Sequence, residues 1–128
     1  MMYGIRDDFH ARVAGTERNA PTIPIVSNVT GKYMNAEQAT HAAAWADHLC
    51  SPVRLTDGIG TLLDLESPIC IEVGPGSTLG SLLKAHPRFA GAACEIVGTL
   101  PSVRKRTDSS HAALLRGLGR LWELGIDI

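Results

Sequence analysis

The chain has 128 residues, enough for one small domain around one core, with 45% hydrophobic and 20% charged side chains. Twelve Lys and Arg against thirteen Asp and Glu leave a net charge of -1, which implies no strongly basic surface and makes duplex nucleic acid a poor first guess. Aromatics at 5% leave little to stack on bases, and no apolar run approaches the ~18 residues of a membrane span.

The start, Met1-Met2-Tyr3-Gly4-Ile5-Arg6, lacks the basic and apolar regions of a signal peptide, so a cytoplasmic protein without nucleic-acid or membrane partners is expected. Met2, Ile5, Phe9 and Val13 recur at steps of three and four, which predicts an amphipathic helix to about Ala14, stopped by Gly15. That helix begins with no capping residue, which suggests a cut end. Pro21 and Pro24 punctuate a loop, and β-branched residues from Ile23 to Val29 predict a strand closed by Thr30-Gly31. Asn35 with Gln38 has the form of a capping box and starts a helix through Ala39, Trp45 and Leu49. Ser51-Pro52 then reads as a cap and first-turn proline for a further helix carrying Leu55, Ile59, Leu62 and Leu63.

Pro68 to Val73 is a nearly continuous apolar run of the kind buried on both faces of a sheet. The turn Gly74-Pro75-Gly76-Ser77 leads into a helix from Thr78 to about His86, and Glu95 to Leu100 predicts a third strand. A polar, basic link from Ser102 to Thr107 precedes a last helix, capped by Asp108 and carrying a core-facing stripe of Leu114, Leu115, Leu118, Leu121 and Trp122. Strands alternating with helices predict an α/β fold with parallel strands, and three strands make half of a doubly wound sheet.

The strand-turn-helix around Gly74 is the place where such sheets bind ligands, and N–H groups exposed at its helix start could hold an anion. Three templates fail on it. A phosphate loop needs a Lys after the glycines, the dinucleotide fingerprint needs its third glycine one residue earlier, and a G-x-S-x-G elbow has Thr78 at its centre. The five histidines include His10, His86 and His111, which sit among polar neighbours and are assigned no role. His48 and Cys50 are two residues apart on a helix, where side chains diverge, so they form no catalytic dyad. Cys50, Cys70 and Cys94 form no C-x-x-C pair and lie at no metal-ligand spacing from a histidine. They read as small buried hydrophobes in a reducing cytosol rather than zinc ligands.

Several blocks together resemble the acyltransferase domains of type I polyketide synthases and the related malonyl-CoA:ACP transacylases. Pro21 to Gly31 is similar to the family's P-x-I-P-x-x-S-N-V-T-G segment, and Trp45 to Leu55 to its Y-W-x-x-H-x-x-x-P-V-R-F, with Ala44 standing where the family has Tyr. Glu72-Val73-Gly74-Pro75-Gly76 followed by Leu79 is the third block. Leu114 to Asp127 resembles the helix after the domain, ending in L-W-x-x-G-x-x-[IV]-D.

The resemblance implies a partial α/β hydrolase-like three-layer fold with a short, mostly parallel sheet. Residues 1–101 would be the C-terminal portion of the large acyltransferase subdomain and 102–128 a linker helix. It further implies a serine that takes malonyl from coenzyme A and passes it to the phosphopantetheine thiol of an acyl carrier protein. Met1 or Met2 looks like the Met of the family's H-S-x-x-M, which would put the catalytic His and the G-H-S-x-G serine N-terminal to residue 1. The chain alone is then expected to be inactive and to bind no cofactor. By resemblance, His48 orients the catalytic imidazole through its backbone carbonyl, while Ser27, Asn28, Gly74, Pro75 and Gly76 line the substrate site. Met2 and His48 resemble the malonyl-selective pattern. The implied partners are acyl-CoA, the carrier protein and the rest of the synthase, including its ketosynthase. Uncovered sheet edges would also allow self-association. A non-catalytic module docking on the carrier protein and a small nucleotide-binding α/β domain remain alternatives.

Overall fold

A helix does form at the start of the chain, but its first turn is wound tighter than the spacing of Met2, Ile5, Phe9 and Val13 predicts. In this computed structural model, which describes residues 2–102 and 109–128, Tyr3–Ile5 is a 3-10 turn and α1 spans Arg6–Ala14. Asp7 and Asp8 complement the dipole of its first turn, and Gly15 N–H closes the other end on Ala11 O and Arg12 O, both at 3.2 Å.

The stretch Ile23–Val29 is not a strand. Its ladder is one isolated antiparallel bridge, Val26 to Tyr33, flanked by Met34 N to Ile25 O and Ser27 N to Lys32 O, each 2.8 Å. Pro24 has no N–H to give a ladder, and Gly31 turns the chain back so that the β-branched run bonds to its own continuation.

The capping box forms as predicted: Asn35 Oδ1 accepts from Gln38 N at 2.8 Å, and Gln38 Oε1 accepts from Asn35 N at 3.0 Å. The helix they begin is cut in two, however. α2 covers Ala36–Thr40 and α3 Ala42–Cys50, with His41 extended between them at ψ 123°. A break of this kind orphans carbonyls, and side chains satisfy them: Trp45 Nε1 donates to Ala39 O at 2.9 Å and Arg18 Nε to Thr40 O at 2.7 Å. Ser51 ends α3 rather than starting the next helix, its Oγ donating to Asp47 O at 2.7 Å. Pro52 is therefore not in a first turn, and α4 begins later, at Leu55–Leu62.

The chain divides into two compact units, one ending at Leu62 and the other beginning at Leu63. In the first, α1 packs on α3. The second holds the sheet: β1 (Ile69–Pro75) pairs in parallel with β2 (Glu95–Leu100), aligning Ile69 with Glu95 and Glu72 with Gly98. The register shifts between Glu72 and Pro75, where the proline cannot donate. Parallel strands need a crossover, supplied by α5 (Thr78–Lys84) and a 3-10 turn at Phe89–Gly91. The sheet thus has two strands among the described residues rather than three.

α6 (Ser110–Glu123) packs on β2 and is capped by Ser109, whose Oγ accepts from Ala112 N at 3.1 Å. The expected cap, Asp108, and residues 103–107 of the link lie outside the described residues. The predicted stripe is only partly correct. Gly117 and Leu121 are buried, but Leu114, Leu115 and Trp122 are exposed, the last at 72%. The cause is close approach: a Cβ on Gly117 would meet Gly98 O at 3.0 Å, so the helix faces the strand along Ala113, Gly117 and Leu121. No helix of the described residues is long and apolar enough to cross a membrane. The chain is an α/β protein with a short parallel sheet.

Candidate functional site

Ser27 and Asn28 are held by the turn that replaced the predicted strand. Gly31 N donates to Ser27 O at 2.8 Å, and Val29 N donates to Ser27 Oγ at 3.1 Å. Gly31 has φ +68°, and an added Cβ would fall 2.3 Å from Asp57 Cβ, so only glycine fits where the turn meets α4. Two further bonds anchor the loop: Thr61 Oγ1 donates to Gly31 O at 2.5 Å in a buried position, and Arg54 N donates to Asn28 O at 2.7 Å.

His48 lies in the last turn of α3, and its carbonyl accepts from Ser51 N at 3.3 Å. A carbonyl has a second lone pair, and this bond is long, so the oxygen keeps capacity for another donor. A cavity of about 380 Å3 brings Ser27, Asn28 and His48 together. Its walls are largely apolar, with Ile25, Val29, Met34 and Trp45 among them. Asp47 also lines it and is tied to Arg6, Nη2 to Oδ1 at 2.5 Å. The hydrogen bond and charge of Asp47 push the Arg6 guanidinium pKa up. A second cavity of about 360 Å3, lined by Phe9, Val13 and Pro21, shares Ile25 and Trp45 with the first.

Gly74, Pro75 and Gly76 belong to the other unit, at the end of β1. Gly76 has φ +99°, which lets the chain turn from the strand into α5. Two of the N–H groups expected to be open to an anion are occupied. Glu72 reaches from β1 to the start of α5, its Oε1 accepting from Leu79 N at 2.9 Å and its Oε2 from Gly80 N at 3.0 Å. A carboxylate of the chain itself sits where a phosphate would, which corrects the anion-site reading and removes the main support for nucleotide binding. Thr78 opens α5 as its first residue. The role of Glu72 was not read from the sequence, although a carboxylate just before a glycine turn into a helix is the signal that carries it.

Cys70 and Cys94 also meet, with their sulfurs 3.8 Å apart, a pairing their separation in sequence does not announce. Among the described residues, no group of three or more His, Cys, Asp or Glu side chains is placed to hold a metal ion. His86 Nδ1 accepts from Arg88 N at 3.2 Å in a local turn.

No family model matches the sequence. A phenolphthiocerol/phthiocerol polyketide synthase chain of Mycobacterium tuberculosis is 32% identical over 108 residues, covering 84% of this chain and 7% of that protein. Naringenin synthase of Pestalotiopsis fici is 33% identical over 131 aligned positions, covering 100% of this chain and 4% of that protein. Among solved structures, the acyl transferase domain of ZmaA has a TM-score of 0.85 at 30% identity and covers 98% of this chain. The acyl transferase domain of SpnD, in complex with 2-(pent-4-yn-1-yl)malonyl, has a TM-score of 0.86 at 34% identity and covers 95%. The chain spans 29% of each of those two structures and a far smaller share of the curated synthases. With similarity of sequence and of fold along nearly its whole length, the chain is part of an acyltransferase domain of the polyketide synthase family.

Proposed function

We propose that these residues form the C-terminal part of an acyltransferase that loads malonyl from coenzyme A onto the phosphopantetheine of an acyl carrier protein. The observation that carries the reading is the convergence of Ser27, Asn28 and the last turn of α3 on one cavity. The His48 carbonyl, with its spare lone pair, holds the imidazole of a histidine supplied by the preceding part of the domain. Ser27 and Asn28 line the acyl site, and the motif shared with the family makes the Gly74-Pro75-Gly76 turn a substrate-lining element of its own unit. The malonyl derivative bound by the SpnD domain supports a dicarboxylic acyl class. Residues 102–128 are a linker after the domain, with α6 (Ser110–Glu123) as its helix. The remainder of the synthase, including its ketosynthase, is the chain's permanent neighbour in the cytoplasm.

The 128 residues contain no G-H-S-x-G serine, so the reading makes this chain incompetent on its own. Incubated with radiolabelled malonyl-CoA, it should take up no label. The same residues joined to the serine- and histidine-bearing portion should pass label to a carrier protein, with malonyl preferred over methylmalonyl. Self-acylation of the chain alone would overturn the division of labour, and a methylmalonyl preference would overturn the substrate. In the joined protein His48→Ala should retain transfer, because the working atom is in the main chain. Complete loss of transfer with an intact fold would refute that role.

A further inference from the structure

Outside the acyl site, the second unit contains a pair of thiols that the transfer reaction leaves unused. Cys70 is the second residue of β1, opposite Ile96, and Cys94 is the residue just before β2. Backbone contacts hold the chain on the β2 side of Cys94: Glu95 N donates to Pro68 O at 3.0 Å, and Glu95 is the register partner of Ile69. The two sulfurs stand at van der Waals contact, 3.8 Å, and both residues are only half-buried, so small reagents reach them. A disulfide needs the sulfurs at about 2.05 Å, and because Cys70 stands opposite Ile96, two residues beyond Cys94, closing the gap requires side-chain rotation together with a shift of the chain just before β2.

We propose that Cys70 and Cys94 form a dithiol modification site, at which exchange with a small-molecule disulfide links β1 to the start of β2. Cys94, as thiolate, attacks one sulfur of the reagent, expelling one thiolate and leaving a mixed disulfide. Cys70 then loses its proton to solvent and attacks the Cys94 sulfur, expelling the second thiolate. Two protein thiols are oxidised, and one reagent disulfide is reduced to two thiols. The order follows from the surroundings. Burial, then the hydrogen bond and charge of Cys94, push the Cys70 thiol up to about 11, so it is the poorer first nucleophile. Once Cys94 is capped, its smaller contribution to that shift is gone while burial, the larger cause, remains, so resolution by Cys70 is the slower of the two steps.

Oxidised glutathione added to the native chain tests this, and the outcome is independent of any acyl-transfer activity. The expected product loses the mass of two hydrogens, and maleimide-reactive cysteines fall from three to one, with Cys50 the survivor. The oxidised chain should melt at a higher temperature than the reduced one, and dithiothreitol should reverse both changes. Cys50→Ser should oxidise as the native chain does. Cys70→Ser should stop at a stable glutathione adduct on Cys94. A native chain that also stops at a mixed disulfide, or that bridges through Cys50 or between molecules, would overturn the proposal.

Discussion

Substituting Gly31 by alanine probes whether the loop carrying Ser27 and Asn28 is positioned by backbone packing against α4. The new Cβ would lie 2.3 Å from Asp57 Cβ and 3.1 Å from both Asp57 C and Gly58 N. Carbon atoms pack at about 3.5–4.0 Å, so something must move by more than an ångström-scale adjustment of one side chain. Holding alanine at φ +68° costs about 1–2 kcal/mol. Forcing the loop or α4 to yield adds about 1–3 kcal/mol. The buried bond from Thr61 Oγ1 to Gly31 O, 2.5 Å in the native chain, is lengthened in the process, at about 1 kcal/mol. The total, about 3–6 kcal/mol, is comparable with the ~5–15 kcal/mol that stabilises a whole domain. Urea unfolding followed by far-UV circular dichroism measures it. Asp57→Gly in the same background removes the Cβ contact but not the φ cost. The double-mutant cycle should therefore show coupling of about 1–3 kcal/mol in the direction of rescue. A loss below about 1 kcal/mol for Gly31→Ala, or an additive cycle, would refute the packing argument.

Two glycines of α6 should respond in opposite directions. Gly117→Ala pushes a Cβ to 3.0 Å from Gly98 O and should destabilise by about 1–3 kcal/mol, whereas Gly119 has nothing within 4 Å and Gly119→Ala should stabilise by up to about 1 kcal/mol. Equal effects in thermal melts would count against the close approach of helix and strand. Replacing Glu72 by alanine removes the acceptor for Leu79 N and Gly80 N and should cost about 0.5–2 kcal/mol. Those two amides should lose hydrogen-exchange protection first, and unchanged protection would show that the carboxylate is dispensable. The Cys70 thiol is pushed from 9.0 up to about 11, chiefly by burial, so the fold favours its protonated form. That contribution is complete below pH 9.0 and is lost as pH rises through about 11. Denaturant stability across this window should fall more steeply for the native chain than for Cys70→Ala, and parallel curves would exclude the linkage.

The elements legible in the sequence were those whose determinants are local. The capping pair Asn35 and Gln38, the apolar run into β1 and the strand at Glu95–Leu100 all appear where their residues predict. The strand expected at Ile23–Val29 failed because β-branched residues report only suitability for a ladder, while Pro24 and the turn at Gly31 decide whether one forms. Ser51 and Pro52 carry the residue types of a helix start, yet Ser51 bonds backwards to Asp47 O, and nothing in the dipeptide distinguishes the two uses. For the site, the motif resemblance singled out Ser27, Asn28 and His48, which line one cavity, and Gly74, Pro75 and Gly76, which belong to the other unit. Glu72 and the Cys70–Cys94 pair were not legible. Their partners are seven or more residues away and meet only through the turn into α5 and the strand register.

The corner at His41 has a consequence for how the chain assembles. Its two freed carbonyls are held by Trp45 from the next helix and by Arg18, twenty-two positions back. Arg18 also donates to Val13 O and Thr16 O. Nothing between Asn35 and Cys50 forbids an unbroken helix, since no proline or glycine interrupts it. A peptide of that stretch alone would keep Trp45 but lack Arg18, one of the two partners that hold the corner. One of the two bonds that hold the bend thus comes from within the stretch and the other from the distant segment bearing Arg18, so the corner ties the α2–α3 junction to the chain that follows α1.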